Sequence, residues 1–479
     1  MTRDVQARMN TFMLDTMESA KSTAAADDDN SSKRKGTWVT AGAHIITAVI
    51  GSGVLSLSWA IAQLGWIAGP VTLLLFSAIT WFTSTLLADC CRDPISGRRC
   101  SSYMDAVKSN LGGIHYKLCG FAQYGNLVGI SIGYSITAAI SMAAIKRSGC
   151  FHKNGHDAGC HVKNNVFMII FGFIEIILSQ IPNLHELSGL SVVAAIMSFA
   201  YSTIGLGLSI AKLAEGSHAR TSLTGTTVGV DVTSAQKIWN CFEAMGDIAF
   251  AYAFSTVLVE IQDTVKSNPP ENEAMKKATS VGISITTVFY MLCGVLGYAA
   301  LGNKAPGNFL TGFGFYEPYW LIDVANVCII VHLVGAYQVF CQPIFKCVED
   351  WCSNRWPNNS FIKEGRPISL PIFGVYHFSA FRLVWRTAYV IMTTTVAMIF
   401  PFFNDVLGLL GGASFLPLTV YFPIQMHIAR EKIQPWSCKW IWLNVLVLLC
   451  SVISLPAAAG SIEGIVKDLR IFKPFTSVS

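Results

Sequence analysis

Eleven long apolar runs, separated by short polar segments, dominate the pattern of hydrophobic and polar positions along the chain. A helix needs roughly 20 mostly apolar residues to cross the hydrocarbon core of a bilayer. The runs are near that length, so the pattern predicts eleven membrane-spanning helices. They lie at about residues 38–64, 67–90, 115–144, 164–181, 187–213, 238–261, 278–301, 318–345, 380–400, 403–427 and 438–462.

The two ends of the chain lie outside these runs. Residues 1–36 are polar and lack the short apolar core of a signal peptide, so we expect a disordered cytosolic tail. Residues 37–465 form the predicted transmembrane domain, and residues 466–479 form a short tail on the extracellular side.

Basic residues predict the orientation of the chain. If the N-terminus is cytosolic, 23 of the 34 Lys and Arg residues fall on the cytosolic side and 11 on the other side. Cytosolic loops carry the excess of Lys and Arg in membrane proteins, so we expect an internal N-terminus and an external C-terminus. Cys150 and Cys160 then share one external loop, where a disulfide is chemically possible.

The number of spans suggests an internal repeat. Span one runs outward and span six runs inward, so spans one to five and six to ten can only be inverted repeats of one another. Spans one and six are then the equivalent pair. The predicted fold is an all-α polytopic membrane protein with a five-plus-five inverted repeat and one extra helix.

Span one contains Gly51-Ser52-Gly53 at its centre. Glycine costs roughly 1 kcal/mol in a helix interior, so the motif marks a place where the helix can unwind. Unwound backbone at this depth is tolerated where it lines a cavity, which predicts a binding site near the midplane. The alternative is that the glycines let another helix pack closely. In span six, Gly246-Asp247 gives a weaker break signal.

Ionisable side chains within a span are functional candidates, because they are costly in hydrocarbon. Asp247 adjoins Gly246 and, unpaired, costs about 3 kcal/mol or more. His44 lies two helical turns before Gly51, and histidine titrates near neutral pH. With His332 of span eight, these residues are the predicted proton-coupling groups. We interpret the other four as interface, vestibule or packing residues: Glu175, Glu243, Glu260 and Asp323.

A broken helix at the midplane suits a zwitterionic amino acid. The N–H groups of Gly53 and Val54, at the start of the second half-helix, can bind a carboxylate. The carbonyls of Val49 and Ile50 can accept from an ammonium group. Aromatic side chains of span six can then contact the side chain of the amino acid and so discriminate between substrates. The predicted substrate-binding residues are Val49, Ile50, Gly51, Ser52, Gly53, Val54, Gly246, Asp247, Phe250 and Tyr252.

Composition agrees with a membrane protein and narrows its function. Hydrophobic residues make up 52% of the 479 residues and charged residues only 13%, about half the share in soluble proteins. The net charge is +5, and the basic residues that produce it lie between the predicted spans, so we expect no nucleic-acid partner. No aqueous loop contains a catalytic constellation, and we expect neither enzymatic activity nor a cofactor. His152, His156 and His161 could bind zinc, but their irregular spacing favours a solvated loop.

Three stretches resemble the plant amino acid permeases of the amino acid/auxin permease family. They read IGSGVLSLSWAIAQLGWIAGP, SGLSVVAAIMSFAYSTIGLGLSIAK and GDIAFAYAFSTVLVEIQDTVKSNPPENEAMKKA, and the resemblance runs from about residue 36 onward. It implies a LeuT-like fold and proton-coupled import of amino acids, with broad selectivity, across the plasma membrane. It also implies that His44 and His332 match the family's membrane histidines. One departure is Ser58, where many relatives have proline.

The sequence is also compatible with two alternatives to a proton-coupled symporter. One is an amino-acid sensor that binds its ligand with little flux. The other is a sodium-coupled transporter of the same fold. Span eight carries Cys328, Ile329, Ile330 and Val331 where paired hydroxyls would suit a sodium site, which favours the proton. The partners expected are an amino acid, protons and the lipid bilayer, and the sequence does not indicate the oligomeric state.

Overall fold

The computed structural model describes residues 34–181, 188–216, 219–314, 319–363, 366–370 and 374–471. Of the two predicted tails, residues 1–33 and 472–479 lie outside the described residues. The first half of the chain contains helices α1 (Trp38–Val49), α2 (Leu57–Asp89), α3 (Tyr103–Asn110), α4 (Gly113–Asn154), α5 (Asn164–Leu178) and α6 (Ser188–Ala214).

The second half repeats this arrangement with the opposite orientation. It contains α7 (Ser234–Ala251), α8 (Ser255–Asp263), α9 (Glu271–Leu301), α10 (Tyr319–Arg355), α11 (Ser360–Lys363), α12 (Ala380–Ile399), α13 (Phe403–Ser414) and α14 (Phe422–Arg430). A π-helical turn, Phe415–Tyr421, joins α13 to α14 into one rod. The last helix, α15 (Cys438–Ile471), stands outside the repeat.

The predicted spans agree with these helices. Within the described residues, eight helices are long and apolar enough to cross a membrane, and Trp38–Val49 and Asn164–Leu178 are shorter apolar helices. The 20-residue α12 accounts for the ninth predicted span. Spans one and two meet inside α2 at Gly65, whose φ of +85° favours glycine. A Cβ on Gly65 would also overlap the backbone of Leu223–Gly225.

One local feature departs from the all-α prediction. Strands β1 (Arg366–Leu370) and β2 (Gly374–Phe378) form an antiparallel pair between spans eight and nine, with Arg366 opposite Phe378. β2 contains Val375, Tyr376 and Phe378, which are residue types that favour strands, whereas β1 has Ile368 alone of these types. The hairpin lies in a loop and leaves the helical bundle unchanged.

The distribution of side chains is that of a membrane protein. Large apolar residues are exposed on the outside of the bundle, including Phe173 (64%), Val288 (61%) and Leu455 (66%). Hydroxyl groups are buried inside it, and those of Ser131, Thr137 and Thr286 donate to carbonyls of their own helices. The apolar outer surface therefore faces hydrocarbon, because a water-facing surface of this composition would cost free energy.

The helical bundle has two ends, one at each side of the membrane. The loop between α4 and α5 carries a disulfide between Cys150 and Cys160, and we call that end the disulfide face. We call the opposite end, where Arg34 precedes α1, the tail face.

Candidate functional site

The first span breaks where the sequence predicts. Helix α1 ends at Val49, and Ile50 leaves the helical region with φ −75° and ψ 87°. Gly51 is extended, with φ −135° and ψ −148°, and a 3-10 turn, Ser52–Ser56, leads into α2. Ser52, Gly53 and Val54 are buried. The break therefore exposes helix-end backbone groups inside the protein, as a binding site near the midplane requires.

The sixth span also breaks, but not at the predicted residue. Helix α7 continues through Gly246 and ends at Ala251, and α8 begins at Ser255. A Cβ on Gly246 would overlap the backbone of Gly408 in α13. Gly246 thus serves close packing of two helices, which is the alternative reading of a glycine in a membrane span. The prediction of a break at Gly246 is wrong.

The two breaks meet each other. A Cβ on Gly53 would lie 2.8 Å from Cα and 3.0 Å from Cβ of Ala251, the last residue of α7. The hydroxyl of Tyr290, in the middle of α9, bridges both half-helices. It contacts the carbonyl of Val49 and lies 3.1 Å from the carbonyl of Ala251. Val49 O also accepts from Gly51 N at 2.9 Å, so this predicted ammonium acceptor is already engaged.

His332 lies beside the first break. Its Nε2 would be 3.6 Å from a Cβ placed on Gly51, and this atom has no hydrogen-bond partner among the described residues. Its Nδ1 lies 2.8 Å from the carbonyl oxygen of Ala194 in α6. The imidazole is 5% exposed. A neutral ring that donates from Nδ1 to this carbonyl leaves Nε2 as an acceptor aimed at the break.

Asp247 is fully buried in α7, one helical turn before Ala251. Within the described residues neither carboxyl oxygen has a hydrogen bond. Ser56 lies beside it, but the Ser56 hydroxyl is 3.2 Å from Gly53 O, to which it donates. A carboxyl group without a partner at this depth is costly unless it binds a proton or a ligand.

The structure does not bring His44 to the break. Its side chain is exposed on the surface of α1. The prediction that His44 faces the break assumed a continuous helix from residue 44 to 51, whereas α1 ends at Val49 and the chain turns at Ile50. That geometric prediction is therefore wrong.

The two aromatic candidates differ in their environment. Phe250 is half-buried against the apolar core. Tyr252 is fully buried, its ring packs 5.4 Å from the Tyr290 ring, and its hydroxyl donates to Thr287 Oγ1 at 3.2 Å. Tyr252 is thus fixed by its neighbours, which leaves Phe250 as the less constrained of the two.

A cavity of about 520 Å³ opens at the disulfide face. Among the described residues its charged lining consists of Arg147, Glu243, Asp405, Glu463, Lys467 and Asp468. None of the predicted substrate-binding residues lines it. Ile50 instead borders a second, apolar cavity of about 390 Å³ with Phe199 and Phe289. Glu243, which lines the larger cavity, lies one turn before Asp247 on α7.

Sequence reasoning missed Asp405. It lies within the predicted tenth span and is 8% exposed. The argument that an ionisable side chain is costly in hydrocarbon, which identified Asp247, applies equally to Asp405. Arg386, in the predicted ninth span, is also an ionisable residue that was not singled out; it is buried in α12 and bonds Glu349 at 2.7 Å. Glu175 is buried as a packing residue, with Oε2 accepting from Gln338 at 2.6 Å.

The tail face is joined by ion pairs and a short backbone pairing. Gly36 N donates to Thr264 O and Lys266 N donates to Gly36 O, both at 3.0 Å. Arg34 bonds Asp263 at 2.9 Å. Arg99, 5% exposed, bonds Glu271 at 3.1 Å and donates to Val265 O at 2.6 Å. The contacts of Arg34 and Gly36 tie the start of α1 to the end of α8, and those of Arg99 tie the loop before α3 to the segment that follows α8.

Comparisons with known proteins agree with this architecture. The family model described as "Transmembrane amino acid transporter protein" matches residues 34–467. The chain belongs to this family. It is a polytopic membrane transporter that acts in amino acid transport, and it is not an enzyme.

Curated relatives extend over nearly the whole chain. Amino acid permease 6 of Arabidopsis thaliana is 65% identical over 453 residues, which cover 94% of each chain. Amino acid permease 1 of the same plant is 61% identical over 458 residues, covering 95% of this chain and 94% of the relative. Lysine histidine transporter-like 6, also from that plant, is 31% identical over 457 residues, covering 91% and 92%.

A solved structure supports the fold. The crystal structure of MhsT in complex with L-phenylalanine matches 88% of this chain and 98% of its own, with a TM-score of 0.53 and 12% identity. This likeness concerns the fold alone. It confirms the LeuT-like arrangement predicted from the sequence.

Proposed function

We propose that this protein imports amino acids across the plasma membrane together with protons, by alternating access to a site between the two broken spans. The observation that carries the proposal is the meeting of the two breaks at Gly53 and Ala251. Half-helix ends that meet at bilayer depth present both N–H groups and carbonyls to a zwitterion. Broad selectivity, for neutral and also acidic or basic amino acids, follows if backbone atoms hold the amino and carboxylate groups that all amino acids share.

The amino acid's carboxylate binds the N–H groups of Ser52 and Gly53 at the start of the 3-10 turn. The predicted donor Val54 N is already engaged, since it donates to Gly51 O at 3.3 Å. Its ammonium binds the Ile50 carbonyl, because Val49 O is held by Tyr290 and Gly51. Phe250 contacts the variable side chain. Gly51 keeps this space open, whereas Gly53 lets α7 approach the break, because a Cβ at residue 53 would meet Ala251.

Asp247 and His332 are the proposed proton carriers. Asp247 has no hydrogen bond within the described chain, and His332 presents an unpaired Nε2 toward Gly51. Either group could accept a proton without breaking an existing bond at that atom. His44 is exposed on the surface of α1, away from the break, and is not one of the proposed carriers.

The proposed orientation places the disulfide face outside the cell and the tail face in the cytosol. The Cys150–Cys160 disulfide supports it, because disulfides persist on the oxidising side of the membrane. The excess of Lys and Arg on the tail side supports it as well. The cavity at the disulfide face and the ion pairs at the tail face then correspond to an outer entrance and a closed inner end.

The test is uptake into liposomes that contain the purified protein. An inward proton gradient in sodium-free buffer should drive accumulation of a labelled neutral amino acid above its external concentration. Dissipating the gradient with a protonophore should abolish accumulation. Uptake that needs sodium and ignores the proton gradient would contradict the proposal, and binding without uptake would favour a sensor.

A further inference from the structure

Tyr290 occupies the point where the C-terminal ends of two half-helices converge. Helix α1 ends at Val49 and α7 ends at Ala251, and both last carbonyls lie against the Tyr290 hydroxyl. The C-terminal end of a helix carries about half a negative elementary charge on its free carbonyls. Two such ends that face one point make a natural site for a cation.

The phenol group fills that point without a charge. Its side chain is fully buried, so water does not compete for the two carbonyls. A tyrosine hydroxyl has one proton, so it donates fully to only one carbonyl at a time. Val49 O also accepts from Gly51 N at 2.9 Å, so the Ala251 carbonyl is the one that depends on this hydroxyl.

The neighbours of Tyr290 hold the ring in place. The Tyr252 ring packs edge-on at 5.4 Å. The Tyr252 hydroxyl donates to Thr287, one turn before Tyr290 on α9, and Thr287 Oγ1 lies 2.6 Å from Ser77 Oγ of α2. The hydroxyl therefore has a fixed position, while the half-helices on either side of it belong to the two elements that transport must move.

We propose that Tyr290 is a positioning residue whose hydroxyl takes the place of a bound monovalent cation between the two breaks. The proton stays on the phenol oxygen, and its hydrogen bond changes acceptor from the Val49 carbonyl to the Ala251 carbonyl as the half-helices shift. The inference rests on the proposed function, because it assumes that substrate binds at these breaks. It explains how two negative helix ends can meet without a metal ion in the transport cycle.

The test compares Tyr290→Phe with a matched control, Tyr252→Phe. The control also loses a buried tyrosine hydroxyl, but one that bonds a side chain rather than the helix ends. In sodium-free buffer, Tyr290→Phe should reduce uptake at least roughly 10-fold, because it leaves a buried carbonyl unpaired. Sodium or lithium should restore part of that loss by binding between the carbonyls, and should change neither the wild type nor Tyr252→Phe.

A second readout separates this inference from the proposed function. Sodium should raise the melting temperature of purified Tyr290→Phe and leave that of the wild type unchanged, whether or not protons drive uptake. If Tyr290→Phe is not recovered folded, Tyr290→His, which keeps a ring donor, should retain sodium-independent uptake. Wild-type uptake by Tyr290→Phe, reduced uptake with no cation response in either assay, or loss of uptake by a folded Tyr290→His would each overturn the inference.

Discussion

Gly53 and Ala251 are in direct backbone contact, and this contact joins the two interrupted spans. A Cβ on Gly53 would lie only 2.8 Å from Ala251 Cα. Real Cβ atoms do not approach other atoms so closely, so one of the two backbones would have to move. Any side chain at residue 53 should therefore separate the half-helices that form the proposed site.

Gly53→Ala should lower uptake at least roughly 10-fold with little change in the amount of protein at the cell surface, because a 1 Å misplacement at a working site is costly. Gly125→Ala on α4 is the control, since nothing lies within 4 Å of the added carbon. Labelled uptake normalised to surface expression is the measurement. Equal uptake by the two variants would show that the Gly53–Ala251 contact is dispensable.

Asp247→Asn should abolish uptake against a concentration gradient while leaving exchange of internal for external substrate. The amide keeps the shape of the carboxyl but cannot carry a proton. Glu260→Gln, at an exposed position on α8, should transport normally. Accumulation by Asp247→Asn at an external pH near 5 that matches the wild type would remove Asp247 from the mechanism.

His332→Ala should change the pH dependence of transport current, because it removes the imidazole whose Nε2 faces Gly51. His44→Ala should leave the pH profile unchanged, since His44 is exposed on the outside of α1. The measurement is current in oocytes against external pH at saturating substrate. An unaltered profile for His332→Ala would exclude this histidine as the sole proton carrier.

Arg99→Ala should lower stability more than Arg98→Ala. Arg99 is buried, bonds Glu271 and donates to Val265 O. Glu271 keeps its pair with Arg92, so the expected cost is that of lost charge-assisted hydrogen bonds, about 1.5–3 kcal/mol. The Arg98 side chain is 57% exposed and lies 3.6 Å from Asp105, a geometry worth less than about 1 kcal/mol. Melting temperatures of the two purified variants test this. Equal shifts would mean that the tail face does not depend on the buried pair.

Labelling of the cysteines should establish which face is external. After reduction of intact cells, a membrane-impermeant maleimide should label Cys150 and Cys160, and a Cys150→Ala/Cys160→Ala variant should lose that labelling. The cysteine Cys347, exposed toward the tail face, should react only after the membrane is permeabilised. The reverse pattern would invert the proposed orientation.

The sequence predicts most of the fold because the length of a membrane span leaves few alternatives. It also predicts the first break, since two glycines flank one serine at the centre of span one. It fails at the second break because Tyr252 and Phe254 are not residues that mark a helix end. Gly246 misleads for a physical reason: glycine loosens a helix and also lets two helices touch, and only the neighbouring Gly408 shows which applies.

The site itself is less predictable than the fold. The contacts of Tyr290 with two carbonyls join residues 241 and 39 positions apart in the chain, and no local pattern indicates them. Asp405 could have been found by applying the rule for ionisable residues to every span. The exposure of the His44 side chain could not have been predicted in this way. Its orientation relative to Gly51 depends on where α1 ends.

Gly246, Gly408 and Gly411 leave no room between α7 and α13 for even one methyl group. Two helices in backbone contact cannot slide past one another without losing that fit. If alternating access operates as proposed, α7 and α13 therefore move together as one rigid unit. A rotation of α8 relative to α7 during transport then has to occur at the short stretch Tyr252–Phe254. The hinge of span six would consist of three residues, none of them glycine or proline.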